Sequence, residues 1–382
     1  EAAEKQEQIK DIEKQLKELK DSTKLLEEKK IEKEQATKDL ENAKNDLEKH
    51  KKELEEAIKS DAKQNEEIEK LVKKVEEQNK KVKEIEKKLE LAKQAESKAK
   101  SKIDNAVNPF GSAKTTLKVS DDFVRRFNEF KANPSVESFN RVVEAEQADK
   151  ENVLKQLNPN DYKNDTDLVD LKNMSDKDKE LFSQYFTHLL NQVREQFGLP
   201  PHKYNLNTQK FADEIARIAM EGKFDKERQY IKGIKEAARL HGLSDRGNDY
   251  ENKEYSYAPI KDGSKVSRRY LFDILHNSVQ KFFYSGKTNG HYGDASFLLG
   301  AQENIALSFI PTPKKSEGNT LVKISVISVS QASVGNNNKY EEKYSKNSPE
   351  SIDNVQLPGS KVLEDAYNVA KENTGKIQSE LN

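Results

Sequence analysis

The side chains of this chain that could do chemistry are its six histidines and its many carboxylates, because cysteine is absent. Disulfides, thiolate metal sites and a cysteine nucleophile are therefore excluded. Two histidines with one carboxylate could hold Zn²⁺ or another divalent ion with a position open for water, or act as general acid and base. No linear motif demands such a site, since the sequence has no H-E-x-x-H, G-x-S-x-G, Walker or G-x-G-x-x-G pattern.

Three of the histidines have a simpler explanation in the elements that contain them. His50 falls on the apolar face of a long helical repeat, where we expect a solvated or paired side chain rather than a metal ligand. His188 and His276 fall within other predicted helices and are interpreted as structural.

The composition favours a long solvated helix attached to a smaller core. Charged residues make up 35% of the chain and hydrophobic residues 33%, with a net charge of -1. No global basic field is present, so we expect no nucleic-acid partner. No apolar run approaches the roughly 18 residues that span a bilayer. The chain begins at Glu1, and we expect the signal peptide and the anchor of an extracellular, cell-surface protein to lie outside this fragment.

Residues 1–108 are predicted to form a coiled-coil stalk. They contain no Gly, Pro or aromatic residue, and their apolar residues alternate at spacings of three and four. We expect a continuous rod rather than a hairpin, about 155 Å long for 105 residues. A register offset near residues 29–34 predicts a stutter. Polar residues interrupt the seam and either fix its register or weaken it: His50, Asp61, Gln64 and Gln78.

All 28 aromatic residues lie at or after Phe110, so the composition predicts a globular head beyond the stalk. Helical patterns come first, and two strand-like runs, "NIALSFIP" and "TLVKISVISVS", follow. The second run is apolar on both faces and predicts a central strand. The fold class is therefore a long coiled coil plus an α+β head. The predicted segments are a helical collar or linker at 109–169, the head at 170–335, a polar linker at 336–360 and a truncated second stalk helix at 361–382.

Two segments of the head resemble a known family. The run "LLNQVREQFGLPPHKYNLNTQKFADEIA", Leu189 to Ala216, resembles the opening helices of the CAP superfamily (cysteine-rich secretory, antigen 5 and pathogenesis-related proteins). The run "NGHYGDASFLLG" resembles the CAP segment in which a His precedes a turn and a strand. With the charged stalk, the head is similar to the PrgA-like surface-exclusion proteins of Gram-positive conjugative elements. The resemblance implies a CAP-like α/β/α sandwich.

The resemblance also implies a central cleft with two His and two acidic residues. Matched one at a time, His291 corresponds to the second His, Glu251 to the Glu of the "GEN" segment, and His241 to the first His. The second acidic position falls near Ser278, so the set is incomplete. Glu303, in "QENIA", is a competing match that comes after His291 in the chain. No catalytic residue is assigned. The incomplete set favours a protein that is not an enzyme, and an enzyme remains the alternative. A divalent metal such as zinc is the cofactor that His291, Glu251 and His241 could hold.

Three functions remain as hypotheses. The resemblance implies a stalked cell-surface protein that limits or modulates cell–cell contact in conjugation (surface exclusion). The alternatives are an adhesin for a host or bacterial ligand and a CAP-type hydrolase or metal-assisted protease. We expect a homodimer through the coiled coil, with an intrachain coiled coil to the C-terminal helix as the alternative, and a cell-surface ligand or neighbouring cell as partner.

Overall fold

The computed structural model describes residues 5–10, 35–53, 65–153, 157–222, 227–247, 249–260, 263–316, 318–334 and 339–381. The chain divides into two compact units: a helical unit from Ala3–Asn108 and Gln356–Asn382, and a mixed unit, Pro109–Val355, called the head below. In these described ranges no helix is both long and apolar enough to cross a membrane.

Eleven helices are named here, in addition to a helical segment at 35–53 and two 3-10 turns. They are α1 (Asn65–Asp104), α2 (Asp121–Ala132), α3 (Val136–Val153), α4 (Asp176–Gln196), α5 (Leu206–Gly222), α6 (Glu227–Leu240), α7 (Arg268–Phe283), α8 (Gly286–Asn289), α9 (Gly293–Leu298), α10 (Tyr340–Lys343) and α11 (Lys361–Leu381). The strands are β1 (Leu168–Asp170), β2 (Lys203–Asn205), β3 (Glu251–Ala258), β4 (Lys265–Ser267), β5 (Asn304–Ser316), β6 (Asn319–Ile327) and β7 (Ser351–Ile352).

Helix α1 buries one stripe of side chains, as the heptad pattern predicts. Leu71, Gln78, Ile85, Leu89 and Ala92 are buried at spacings of three, four and seven, while most residues between them are exposed. A helix with charged residues on its remaining faces needs a neighbour to cover such a stripe. Asp61, Gln64 and the predicted stutter lie outside the described residues.

Part of that neighbour is α11, which runs antiparallel to α1. Contact clusters join Leu363 to Ile103, Ala370 to Ala99, and Ile377 to Leu89. Residues later in α11 thus contact residues earlier in α1, so the two helices are antiparallel. The structure therefore contains the intrachain helix pair that the sequence left as an alternative to a homodimer.

Residues 54–64, between the helical segment 35–53 and α1, lie outside the described residues. The continuous rod predicted from the sequence therefore stays a prediction for this part of the chain. A helix of the same chain covers an apolar seam as well as a helix of another chain does. The heptad pattern does not distinguish the two.

The head is built on a five-stranded sheet in the order β3-β6-β5-β2-β7, with a separate β1-β4 pair. Strand β6 pairs antiparallel with both β3 and β5, and β2 pairs parallel with β5. The central position predicted for the apolar run in β6 is confirmed. Its side chains are buried on both faces because helices cover both sides of the sheet.

The two faces of the sheet carry different helices. On one face, Ala306 and Ile327 belong to a core with Phe211 of α5 and Ile234 of α6. On the other face, the Phe309 ring lies 5.6 Å from Phe182 of α4, which in turn contacts Phe272 of α7. The α+β class predicted from the sequence is confirmed, as helices on both faces of a mixed sheet.

Helix α4 begins and ends where the sequence indicates. The Ser175 hydroxyl accepts a hydrogen bond from the Asp178 backbone N–H at 3.1 Å, so it caps the first turn. Gly198 follows the helix with a φ of +67°, a conformation that favours glycine.

The segment predicted as a collar is part of the head. Phe123 and Phe127 of α2 are buried and contact Tyr292, with ring centroids 6.2 and 5.6 Å apart. The Glu146 carboxylate of α3, which is completely buried, accepts a hydrogen bond from the Tyr292 hydroxyl at 2.7 Å. The helices α2 and α3 are therefore packed elements rather than a linker.

The predicted polar linker at 336–360 also differs from the structure. Tyr340 and Tyr344 are buried in the core that α5 and α6 share, and β7 adds a strand beside β2. The compact unit ends at Val355, twenty residues after the predicted boundary at 335. Tyrosines within a polar run were the sequence signal for this packing.

Candidate functional site

Side chains of the segment Leu189 to Ala216 hold together α4, the turn after it and the loop before β5, and this set of contacts is called the clamp below. The Asn191 side chain binds the His202 backbone twice: its Oδ1 accepts from the N–H at 2.8 Å and its Nδ2 donates to the carbonyl at 2.9 Å. The buried Arg194 guanidinium donates to the carbonyls of Pro200 at 2.8 Å and Leu298 at 2.7 Å. The spacing of Asn and Arg in this motif is thus explained by scaffold geometry.

His202 belongs to the same clamp. Its Nε2 donates to the Leu298 carbonyl at 3.2 Å, and the residue is 2% exposed. Burial, together with the charge of Arg194, lowers the pKa of His202 to about 3. The imidazole is therefore neutral at physiological pH and serves as a hydrogen-bond donor in the core.

Glu251, at the start of β3, lies in a buried polar cluster. Its side chain is 0% exposed, and the Lys323 ammonium is 2.9 and 3.0 Å from its two carboxylate oxygens. The hydroxyls of Tyr230 and Ser325 also donate to this carboxylate. The Lys323 ammonium lies 3.0 Å from the centroid of the Tyr230 ring. These three partners occupy the Glu251 carboxylate, so it is not available as a ligand for a metal or as a base in an open cleft.

Burial, with the Glu251 charge as a second cause, raises the pKa of Tyr230 well above its usual value. The phenol therefore stays protonated and keeps its role as donor. Sequence reasoning missed Tyr230, Lys323 and Ser325. The signal that could have found them is a lone lysine within the apolar strand "TLVKISVIS", because a buried ammonium needs a partner of opposite charge.

His291 is exposed on the loop between α8 and α9. Its Nδ1 accepts a hydrogen bond from the Gly293 N–H at 3.0 Å, so Nε2 carries the proton when the ring is neutral. Asp294 lies close by: burial raises the pKa of this carboxyl, and the His291 charge acts in the opposite direction. Asn289 donates its side-chain amide to Asp294 at 3.2 Å.

Tyr292 anchors this loop. Its ring lies against the aromatic side chains of α2 and α3, and its hydroxyl binds the buried Glu146. A Cβ atom at Gly286 would lie 2.1 Å from the Tyr292 ring, so only glycine allows this approach. The exposed His291 therefore projects from a loop held firmly by its neighbour in the chain.

The sheet separates Glu251 from His291. Asn252, the next residue in β3, donates its side-chain amide to the Asp294 carbonyl at 3.1 Å, on the face that carries α9. Successive side chains of a strand point to opposite faces, so Glu251 points to the face that carries α6. The structure accordingly places Glu251 with Tyr230 of α6, away from the His291 loop.

His241 lies in a third environment, after the end of α6. Its ring is 5.5 Å from Phe211, burial lowers its pKa, and the Glu214 charge opposes that shift. The competing match Glu303 is also structural, because it binds the Lys346 backbone N–H at 3.2 Å and the Lys346 ammonium at 3.5 Å.

The three candidate cleft residues are thus not brought together. Within the described residues, no group of three or more His, Asp or Glu side chains is arranged to hold a metal ion. The donor set of His291, Glu251 and His241 does not fit a shared zinc site, which needs its ligands about 2 Å from one ion. The cleft implied by the resemblance is corrected to three separate environments.

Comparison with known proteins gives a structural likeness. No family model matches the chain, and no curated protein matches it. A solved structure, the CAP domain of Enterococcal PrgA, matches with a TM-score of 0.48 and 22% sequence identity, covering 66% of this chain and 97% of that chain. A likeness at this level does not establish a shared activity.

Replacing Lys323 should destabilise the head strongly. We expect Lys323→Met to lower the free energy of unfolding by about 3–5 kcal/mol, because it leaves a buried carboxylate without its cation. Removing both charges, as Glu251→Leu with Lys323→Met, should recover most of this loss. Chemical denaturation followed by circular dichroism measures both.

A matched control is Lys281→Met, which removes an ammonium that pairs with Glu254 at 2.9 Å near the surface. A pair of this kind contributes about 1 kcal/mol or less. Equal losses from the two single variants would contradict a special role for the buried cluster.

Acid should destabilise the head through His202. Its pKa is about 3 when folded and near 6.5 when unfolded, so its contribution is complete above pH 6.5 and is lost as the pH falls towards 3. Between pH 7.5 and pH 5 the loss is about 2 kcal/mol by linkage. In His202→Gln, chemical denaturation should show that the difference in the free energy of unfolding between pH 7.5 and pH 5 is smaller by this amount. An unchanged pH dependence would contradict the argument.

Proposed function

We propose that the chain is a cell-surface protein whose head, residues 109–355, is a contact module carried by a helical stalk, and that it limits or modulates contact between cells in conjugation. The observation that carries this proposal is the connectivity of the head. The chain enters it after α1 and leaves it before α11, and these two helices pack against each other in the helical unit. A compact unit inserted into a helical hairpin is held by both of its ends.

The chemistry of the head supports recognition more than hydrolysis. The hydrolase alternative needs His291 and Glu251 in one cleft, whereas their side chains lie on opposite faces of the sheet and the Glu251 carboxylate is occupied. The His291 loop instead offers an exposed imidazole on a fixed backbone, which suits a contact surface because little order is lost on binding.

The resemblance of the segments around Asn191 and His291 to CAP proteins, together with the charged stalk, supports the surface-exclusion form of this proposal. The adhesin alternative shares the same exposed loop and differs only in the partner, a host or bacterial ligand. A homodimer through the stalk remains a prediction. The contact between α1 and α11 already covers the seam between Leu89 and Ile103 within one chain.

The proposal is tested by conjugative transfer into recipient cells that display the full chain. We expect transfer to fall at least tenfold relative to cells without it. Replacing 109–355 by a short Gly/Ser linker should restore transfer, because α1 and α11 can still pair while the contact module is missing. Equal exclusion by this headless hairpin would contradict the proposal.

His291→Ala tests the loop in the same assay, and His241→Ala is its matched control on another surface of the head. We expect His291→Ala to weaken exclusion and His241→Ala to leave it unchanged. If no version changes transfer, surface exclusion fails and the adhesin alternative takes its place.

A further inference from the structure

The first extended segment of the head, residues 114–117, is held against α4 and α7 by side chains rather than by a backbone ladder. This segment is called the strap below. Three consecutive strap carbonyls, those of Lys114, Thr115 and Thr116, accept hydrogen bonds from side chains of the two helices. It begins four residues after the buried Phe110.

The donors come from four side chains. Tyr185 donates its hydroxyl to the Lys114 carbonyl at 2.6 Å, and His188 donates Nε2 to the Thr115 carbonyl at 3.0 Å. The Gln192 amide donates to the Thr115 carbonyl at 2.9 Å and accepts from the Leu117 N–H at 3.1 Å. His276 of α7 donates Nε2 to the Thr116 carbonyl at 3.0 Å.

Two of the four donors are therefore histidines, one on each helix beneath the strap. The His188 ring also lies 5.8 Å from the ring of Phe110, which packs edge-on against Tyr185. His188 is half-buried and His276 is buried while the strap is in place, so both imidazoles have limited access to water. A charge on either ring is therefore costly, although Nε2 remains a donor in both protonation states.

The charges facing the two rings are few in the part of the chain that the structure describes. Lys114 of the strap disfavours a charge on His276, and Asp273 of α7 favours it. Asp273 is itself occupied, because it accepts a hydrogen bond from the Tyr162 hydroxyl at 2.8 Å. For His188 the opposing effects are its burial and its hydrogen bond to Thr115. Burial is the largest cause for both, and it lowers the pKa of each histidine.

We propose that the strap is an acid-sensitive latch: protonation of His188 and His276 releases residues 114–117 from α4 and α7 while the sheet and its helices stay folded. Both imidazoles gain access to water when the strap lifts, so the proton and the open strap favour each other.

The test is amide hydrogen exchange of the full chain at pH 7.5 and pH 5.0, with rates corrected for the pH dependence of the chemical step. The Leu117 amide reports the strap, and the Leu189 amide in α4 reports the opening of the core. We expect the protection of Leu117 to fall at least tenfold more than that of Leu189 at pH 5.0. Equal changes at the two amides, or none at Leu117, would overturn the proposal.

Variants assign the response to the two histidines. His188→Gln with His276→Gln keeps an amide donor at each position but cannot bind a proton, so the differential response should disappear. His202→Gln is the matched control, because it removes a buried histidine elsewhere and should leave the response in place. If the double variant does not fold, His276→Gln alone must reduce the response at least threefold. A response that persists without these histidines would overturn the proposal.

Discussion

The close contact between α1 and α11 is the constraint on which the arrangement of this chain depends. Small side chains at Ala95, Ala99 and Ala370 let the two helices approach, and the larger Leu363 and Ile377 fill the seam on either side. Burial of these apolar surfaces stabilises a pairing between segments more than 250 residues apart in sequence. The head lies between them in the chain, so both of its ends are fixed by one helical unit.

Within the head, the arrangement of the helices depends on the central strand β6. Its two apolar faces require helices on both sides, and the sheet then separates residues that are neighbours in sequence. Glu251 and Asn252 illustrate this, because one joins the cluster with Lys323 and the other reaches the loop of His291. A chain without cysteine uses buried polar groups to fix these contacts, and each buried charge described here has partners, as burial of a charge requires.

Much of the fold could be predicted from the sequence. The helical patterns, the Ser175 cap and the central strand β6 follow from local periodicity and side-chain chemistry, which act over a few residues. The pairing of α1 with α11 could not be predicted, because a heptad pattern does not show whether the helix that covers it belongs to the same chain or to another. The packing of α2 and α3 against Tyr292 also depends on contacts more than 140 residues apart in sequence.

The candidate site was less predictable than the fold. Matching His291, Glu251 and His241 to a family pattern uses their order in the chain, whereas a site depends on which face of the sheet each side chain reaches. A shift of one residue in β3 would exchange the environments of Glu251 and Asn252. The lone Lys323 within an apolar strand was the better guide to Glu251, since a buried ammonium and a buried carboxylate require each other.

The central claim is that α1 and α11 of one chain pair with each other, although the head lies between them in the sequence. Disulfide cross-linking tests it directly, because the chain has no cysteine of its own. We predict that Ala99→Cys with Ala370→Cys forms an intrachain disulfide, seen as a monomer of altered mobility on a non-reducing gel, while Ala99→Cys alone forms no covalent dimer. Covalent dimers from Ala99→Cys alone, with no intrachain bond in the double variant, would show that α1 pairs with a second chain and would contradict the account.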